Sequence, residues 1–118
     1  RSRRRRNLKM NAEPQLSGWH GGYSGKKVGG TYGLRFGTLR HTLVEGRPAT
    51  LELRLEGGES FAAKLTDGFW RHCPEVRHRA IRDWMIAQGI SMPWPLGNSP
   101  RFPVERIGKN IFHVRRFR

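Results

Sequence analysis

The strongest restriction on the architecture is a strict alternation of apolar and polar residues between positions 49 and 56. The apolar members are Ala49, Leu51, Leu53 and Leu55, and they alternate with Thr50, Glu52, Arg54 and Glu56. A period of two residues is that of a β-strand with one buried face. A second alternating run, which contains Phe61, Ala63 and Leu65, follows Gly57-Gly58. The two runs together predict a β-hairpin.

The register of this hairpin depends on the length of its turn. A two-residue turn would place the two apolar sets on opposite faces, because side chains in a strand point alternately to either side. A three-residue turn sets Leu53 opposite Phe61 and Leu51 opposite Ala63, so that one face is apolar throughout. We therefore predict a three-residue turn.

Two other segments carry clear patterns. Apolar residues alternate over residues 32–43, with a change of phase after Gly37-Thr38, which predicts one long strand containing a bulge or a bend. A helix is predicted from Pro74 to Gln88, ending at Gly89, because proline fits the first helical position and glycine the C-terminal cap. Its apolar face consists of Val76, Ala80, Trp84 and Ala87, flanked by Ile81.

The last two segments, residues 102–107 and 111–117, predict a second hairpin closed by Gly108-Lys109-Asn110. Pro103 lacks an amide hydrogen, which would confine its strand to a sheet edge or a bulge. The predicted fold class is α+β, with a small antiparallel sheet of about five strands and one packed amphipathic helix. Trp70, Trp84 and Trp94 are assigned to the core or to packing on the sheet.

The distribution of charge divides the chain into three parts. The 118 residues carry 23 Lys and Arg against nine Asp and Glu, a formal charge of +14, and residues 1–36 contain nine basic residues against Glu13 alone. We predict a disordered Arg-rich arm over residues 1–18, a Gly-rich basic loop over 19–31, and one folded domain over 32–118. The loop lacks the residues of a nucleotide-binding P-loop.

Excess positive charge favours a polyanionic partner, because phosphate groups neutralised by Lys and Arg release condensed counterions. The basic residues repeat in the arm, in the loop, on the predicted helix and at the C-terminal end. Aromatic residues interleaved with them can stack on unpaired bases, or can instead fix the loop on the domain. The predicted nucleic-acid-binding residues are Arg1, Arg3, Arg4, Arg5, Arg6, Lys9, Trp19, Tyr23, Lys26, Lys27, His78, Arg79, Arg82, Arg115, Arg116 and Arg118.

Enzymatic chemistry has a weaker signal. The His residues have no spacing that singles out a catalytic pair, although His41 and His113 are both predicted on strands and so could meet across the sheet. Cys73 is the single cysteine, which excludes an internal disulfide, and beside His72 at a helix start it is either a nucleophile or an inert cap. No spacing of Cys, His or paired carboxylates is typical of a metal site, and no cofactor is predicted.

The favoured function is therefore non-enzymatic binding of nucleic acid, RNA or DNA, by electrostatic contact with the phosphate backbone. The partner is expected within a larger assembly, such as a ribonucleoprotein or a mobile-element or phage complex. No segment is long and apolar enough for a membrane span. The single cysteine fits a reducing compartment, so an intracellular location is expected: cytoplasm, nucleoid or organelle matrix. The alternatives are a small metal-independent ribonuclease of the toxin type and a capsid-type structural protein with an Arg-rich packaging arm.

Overall fold

A computed structural model describes residues 13–21, 31–90, 94 and 98–117. Residues 1–12 of the predicted arm and residues 22–30 of the predicted loop lie outside this part of the chain. The strands are β1 Gln15–Gly21, β2 Thr31–Arg35, β3 Thr50–Leu55, β4 Ser60–Lys64, β5 Glu75–Arg77, β6 Arg101–Gly108 and β7 Ile111–Val114. The helices are α1 Leu39–Thr42, α2 Asp67–Arg71 and α3 Arg79–Ala87.

The seven strands form one mixed sheet in the order β4-β3-β7-β6-β1-β2-β5. Its pairs are antiparallel except for β3 and β7, which run parallel. The two end strands, β4 and β5, approach each other, so the sheet is nearly closed into a barrel. At this seam the ring of Phe61 on β4 stacks on that of His78, which follows β5, with ring centroids 3.9 Å apart and planes inclined by 14°.

The core lies inside the curved sheet and under α3. Alternate residues of the strands face inward, as a strand period of two requires. From α3, the residues Ala80, Ile81, Trp84 and Met85 are buried. The largest fully buried side chains are Phe102, Phe112, Leu16, Leu34, Leu53, Ile81, Met85 and Val114.

The predicted fold class is wrong in its sheet. The described residues form seven strands in a mixed, nearly barrel-shaped sheet and three short helices, rather than about five antiparallel strands with one packed helix. The parallel pair of β3 and β7 joins two hairpins that are distant in sequence, and each hairpin pattern alone is compatible with several sheet orders. Only the burial of both hairpins in a common core selects this one.

Two segments adopt a different secondary structure from the one predicted. The predicted helix from Pro74 begins instead at Arg79, because Glu75–Arg77 pairs with β2 as strand β5. The Phe36 amide donates to the Pro74 carbonyl at 2.7 Å and extends this pairing by one residue. The predicted long strand over residues 32–43 ends at Arg35, since Gly37 has a φ of 58° and the chain then forms α1.

Two further differences involve β1 and β6. Strand β1 begins at Gln15, inside the segment assigned to the arm, and it buries Leu16 completely. Strand β6 is central rather than an edge, although it contains Pro103. Proline is accommodated because β6 changes partner there: residues 101–103 pair with β1 and residues 104–108 pair with β7.

Several local predictions are confirmed. The register of the β3–β4 hairpin pairs Leu53 with Phe61 and Leu51 with Ala63, as the three-residue turn requires. The last helix is followed by Gly89 with a φ of 81°, which is the left-handed conformation of a glycine cap. Trp84 is buried, and Trp70 and Trp94 pack against the core.

Candidate nucleic-acid interface

The outward face of four neighbouring strands carries three exposed arginines. Cross-strand pairing sets Arg101 of β6 opposite Ser17 of β1, Ser17 opposite Arg35 of β2, and Arg35 opposite Glu75 of β5. Directly paired residues share a face of the sheet. Since the alternate positions Leu34, Val76 and Phe102 are buried in the core, this row lies on the outer face of the sheet, where Arg35 and Arg101 are exposed.

A second row on the same face consists of Trp19, Gly33 and Arg77. The guanidinium carbon of Arg77 lies 4.5 Å from the centroid of the Trp19 ring, which is a cation–π contact. We call the surface formed by Ser17, Trp19, Arg35, Arg77 and Arg101 the arginine face.

The indole of Trp19 can lie across β2 because position 33 is glycine. A Cβ atom at Gly33 would be 3.1 Å from Cε3 of Trp19 and 2.5 Å from the carbonyl oxygen of Val76. The missing side chain therefore allows two contacts at once, the tight pairing of β2 with β5 and the contact of Trp19 with Arg77.

The carboxylate within these two rows belongs to Glu75. Its side chain is only 4% exposed, whereas that of Arg77 is 51% exposed. The Glu75 Oε1 atom lies 3.5 Å from a terminal guanidinium nitrogen of Arg77, and Oε2 is buried without a hydrogen-bond partner among the described residues. The solvent-facing side of the arginine face is therefore cationic, and its negative charge is recessed.

A cleft of about 320 Å³ opens beside Glu75 at the seam of the barrel. Its lining comprises Lys64, Thr66, Gly68, Cys73, Glu75 and Arg77. Lys64 is the last residue of β4 and Glu75 the first of β5, so the cleft lies between the two end strands of the sheet. Two cations and one buried carboxylate thus face the same space.

Both ends of β1 connect to strongly basic segments. Residues 1–12, with six basic residues and no acidic one, lead into Glu13 and β1. Residues 22–30, with Lys26 and Lys27, join the end of β1 to β2. Strand β1, which contributes Ser17 and Trp19 to the arginine face, is therefore preceded and followed in the chain by further basic residues.

The three basic residues predicted on the helix, His78, Arg79 and Arg82, lie at the start of α3. The Ala80 amide donates to Nδ1 of His78 at 3.0 Å, so His78 is the N-cap of this helix as well as the stacking partner of Phe61. Arg79 and Arg82 are exposed on α3 and form no ion pair with another described residue. The structure does not place these three residues on the arginine face.

The predicted C-terminal residues differ in their surroundings. Arg115 lies 3.5 Å from a carboxylate oxygen of Glu13 and 3.6 Å from one of Glu105, so its charge is largely compensated within the protein. The backbone amide of Arg116 donates to a carboxylate oxygen of Glu56 at 2.7 Å. The Arg116 side chain is exposed and has no ion pair with a described residue. The remaining predicted residues lie outside the described residues: Arg1, Arg3, Arg4, Arg5, Arg6, Lys9, Tyr23, Lys26, Lys27 and Arg118.

Of the predicted residues, Trp19 lies on the arginine face, and the three arginines there were not predicted. Arg35, Arg77 and Arg101 each precede or follow a buried apolar residue in a strand, which is a sequence signal for an outward position. Their proximity to one another has no such signal, because it depends on β6, β1, β2 and β5 being neighbours.

The histidines considered for ribonuclease chemistry are dispersed over the fold. His41 lies on α1 and not on a strand, so that part of the prediction is wrong. His113 lies on β7, where its neighbours across the sheet are Glu105 of β6 and Arg54 of β3. The ring of His20 makes an edge contact with Trp94, with centroids 4.6 Å apart. Cys73 is exposed in the cleft beside Glu75.

Within the described ranges, no three His, Cys, Asp or Glu side chains are grouped so that they could hold a metal ion. None of the helices in this part of the chain has the length and apolar character needed to cross a bilayer. No protein-family model, curated protein or solved structure matches this chain. The arginine face and its adjoining cleft are therefore interpreted from their own geometry.

Proposed function

We propose that the protein binds nucleic acid and that the arginine face is its contact surface for the phosphate backbone. The observation that carries this proposal is the exposure of Arg35, Arg77 and Arg101 on one face, where the carboxylate of Glu75 is buried. Guanidinium groups bind phosphate through paired hydrogen bonds, and they remain charged at any physiological pH.

The spacing of the face suits an extended polyanion. Adjacent strands lie about 4.8 Å apart, so Arg101 and Arg35, on either side of Ser17, sit on strands about 10 Å apart. The two guanidinium groups can therefore contact different phosphates of one backbone. The arm and the loop, which continue from the ends of β1, supply eight more basic residues to the same ligand.

A charge-matched pair of variants tests this assignment. Arg35→Gln/Arg101→Gln removes two cations of the arginine face that form no ion pair with a described residue. Arg54→Gln/Arg106→Gln removes the same charge from two arginines that are paired with Glu52 at 2.6 Å and with Glu45 at 2.9 Å. Affinity for labelled single-stranded and duplex RNA and DNA is measured by fluorescence anisotropy over a series of salt concentrations.

We expect the slope of log K against log salt to become shallower by about 2 in the arginine-face variant, because two phosphate contacts are lost. The control variant should keep the slope of the unmodified protein. Equal effects of the two variants would show that net charge, and not this surface, determines binding. Degradation of the RNA during the measurement would favour the ribonuclease alternative.

A further inference from the structure

The recessed carboxylate of Glu75 is unusual on a surface that would contact phosphates. A carboxylate is a hydrogen-bond acceptor only, so the buried Oε2 atom can be satisfied by a donor and not by a phosphate oxygen. Burial of a charged group without sufficient partners lowers the stability of the folded protein. An acceptor left in this way without a partner among the described residues is available to a ligand that carries hydrogen-bond donors.

The charges around the cleft restrict the chemistry of a ligand. A cationic ligand would meet Lys64 and Arg77, and a simple anion would meet Glu75. A nucleotide within a polynucleotide satisfies both requirements, since its phosphate is anionic and its base carries N–H donors. The cleft volume of about 320 Å³ is sufficient for one base.

Among the four standard bases, guanine has the edge that matches a carboxylate. Its N1–H and N2 amino groups are adjacent donors, and they can reach the two oxygens of one carboxylate in parallel. Uracil and thymine present one ring N–H between two carbonyl oxygens, which a carboxylate repels. Recognition of base edges in this way occurs mainly in single strands, where the bases are unpaired.

We propose that the cleft at the seam of the barrel binds an unpaired guanine, with Glu75 accepting hydrogen bonds from N1–H and N2 and with Lys64 holding an adjacent phosphate. Arg77 connects this cleft to the arginine face, because it contacts both Glu75 and the ring of Trp19. The inference rests on the proposed nucleic-acid binding and adds a base preference to it.

The test uses eight-residue RNAs of uridine with one central guanosine, inosine or adenosine. Inosine differs from guanosine only by lacking the N2 amino group. We expect the full-length protein to bind the guanosine RNA about tenfold more tightly than the inosine RNA, as expected for loss of part of a bidentate contact. Glu75→Gln should bind all three RNAs within about twofold of one another, because the amide cannot accept from both donors.

Glu59→Gln is the matched control, because it makes the same change in charge at an exposed carboxylate in the β3–β4 turn. It should retain the guanosine preference. Equal affinity of the unmodified protein for the three RNAs, with a steep salt dependence, would overturn the guanine site and leave the proposed function standing. Failure to bind any of the RNAs would overturn the guanine site, and failure to bind duplex RNA and DNA as well would overturn the proposed function. If Glu75→Gln does not fold, the comparison of the three RNAs on the unmodified protein decides.

Discussion

At the scale of single residues, side chains of the same type have different roles according to their neighbours. Arg115 and Arg35 are both basic residues in or beside a strand, yet Arg115 is compensated by two carboxylates and Arg35 has no ion pair with a described residue. His78 was predicted to bind nucleic acid, and the structure gives it two internal contacts. Its part in binding stays a prediction, which a substitution can separate from its part in folding.

Substitution of His78 by alanine should lower the free energy of unfolding by about 1–2 kcal/mol, because the cap of α3 and the stack on Phe61 are both lost. Asparagine is a good N-cap without an aromatic ring, so His78→Asn should restore part of the loss. Urea denaturation measures both variants. His72→Ala, at an exposed position, is the control and should be close to neutral. Unchanged stability of His78→Ala with weakened oligonucleotide binding would instead place His78 in the interface.

At the scale of secondary-structure elements, the pairing of β2 with β5 determines both the seam and the arginine face. This pairing involves only three residues of β5 and needs the close approach allowed by Gly33. Such a short strand has no periodicity of its own, so its sequence resembled the beginning of the helix that follows it. Val76 would be buried in the predicted helix and is also buried in strand β5, where it pairs with Leu34.

Gly33→Ala should therefore lower the free energy of unfolding by about 2–3 kcal/mol, because the new methyl group would overlap the carbonyl of Val76 and force β5 away from β2. Gly68→Ala is the matched control. A Cβ atom at that position in α2 has its nearest neighbour at 3.5 Å, so the change should be neutral or stabilising by up to about 1 kcal/mol. The measurement is equilibrium denaturation in urea. Equal stability of the two variants would contradict the tight β2–β5 pairing.

At the scale of the whole molecule, positive charge is concentrated in the segments attached to β1. Residues 13–117 outside the 22–30 segment contain all nine acidic residues, and residues 1–12 contain six basic residues without an acidic one. Residues 1–12 and 22–30 together carry +8 of the formal charge of +14, and the rest of the chain carries +6. Under the proposed function, long-range attraction would come mainly from these segments and local contact from the arginine face.

Removal of residues 1–9 should leave the melting temperature within about 2 °C of the original value, because this segment has six basic residues and only one large apolar residue, Leu8, to add to a core. It should reduce the slope of log K against log salt by up to about 5, since six basic residues are lost. Calorimetry and anisotropy measure the two quantities. An unchanged slope would show that the arm does not contact the nucleic acid, and the arginine face would then have to account for all of the binding.

Local chemistry made several features predictable from the residues alone. The register of the hairpin of residues 50–64 was predicted correctly, because a turn of three residues places the two apolar sets on one face and a turn of two residues would place them on opposite faces. The end of α3 was predicted from Gly89, because a left-handed cap favours glycine. The excess of positive charge, and its concentration near the start of the chain, follow directly from composition and require no fold.

The order of the strands depended on contacts between segments that are far apart in sequence. No local pattern requires β7 to lie parallel to β3, or β1 to lie between β6 and β2; these neighbours are selected because together they bury one core. The arginine face is a product of that order, since Arg35, Arg77 and Arg101 come from three separate segments. Charge belongs to each side chain by itself, whereas the composition of a surface depends on which strands are neighbours in the sheet.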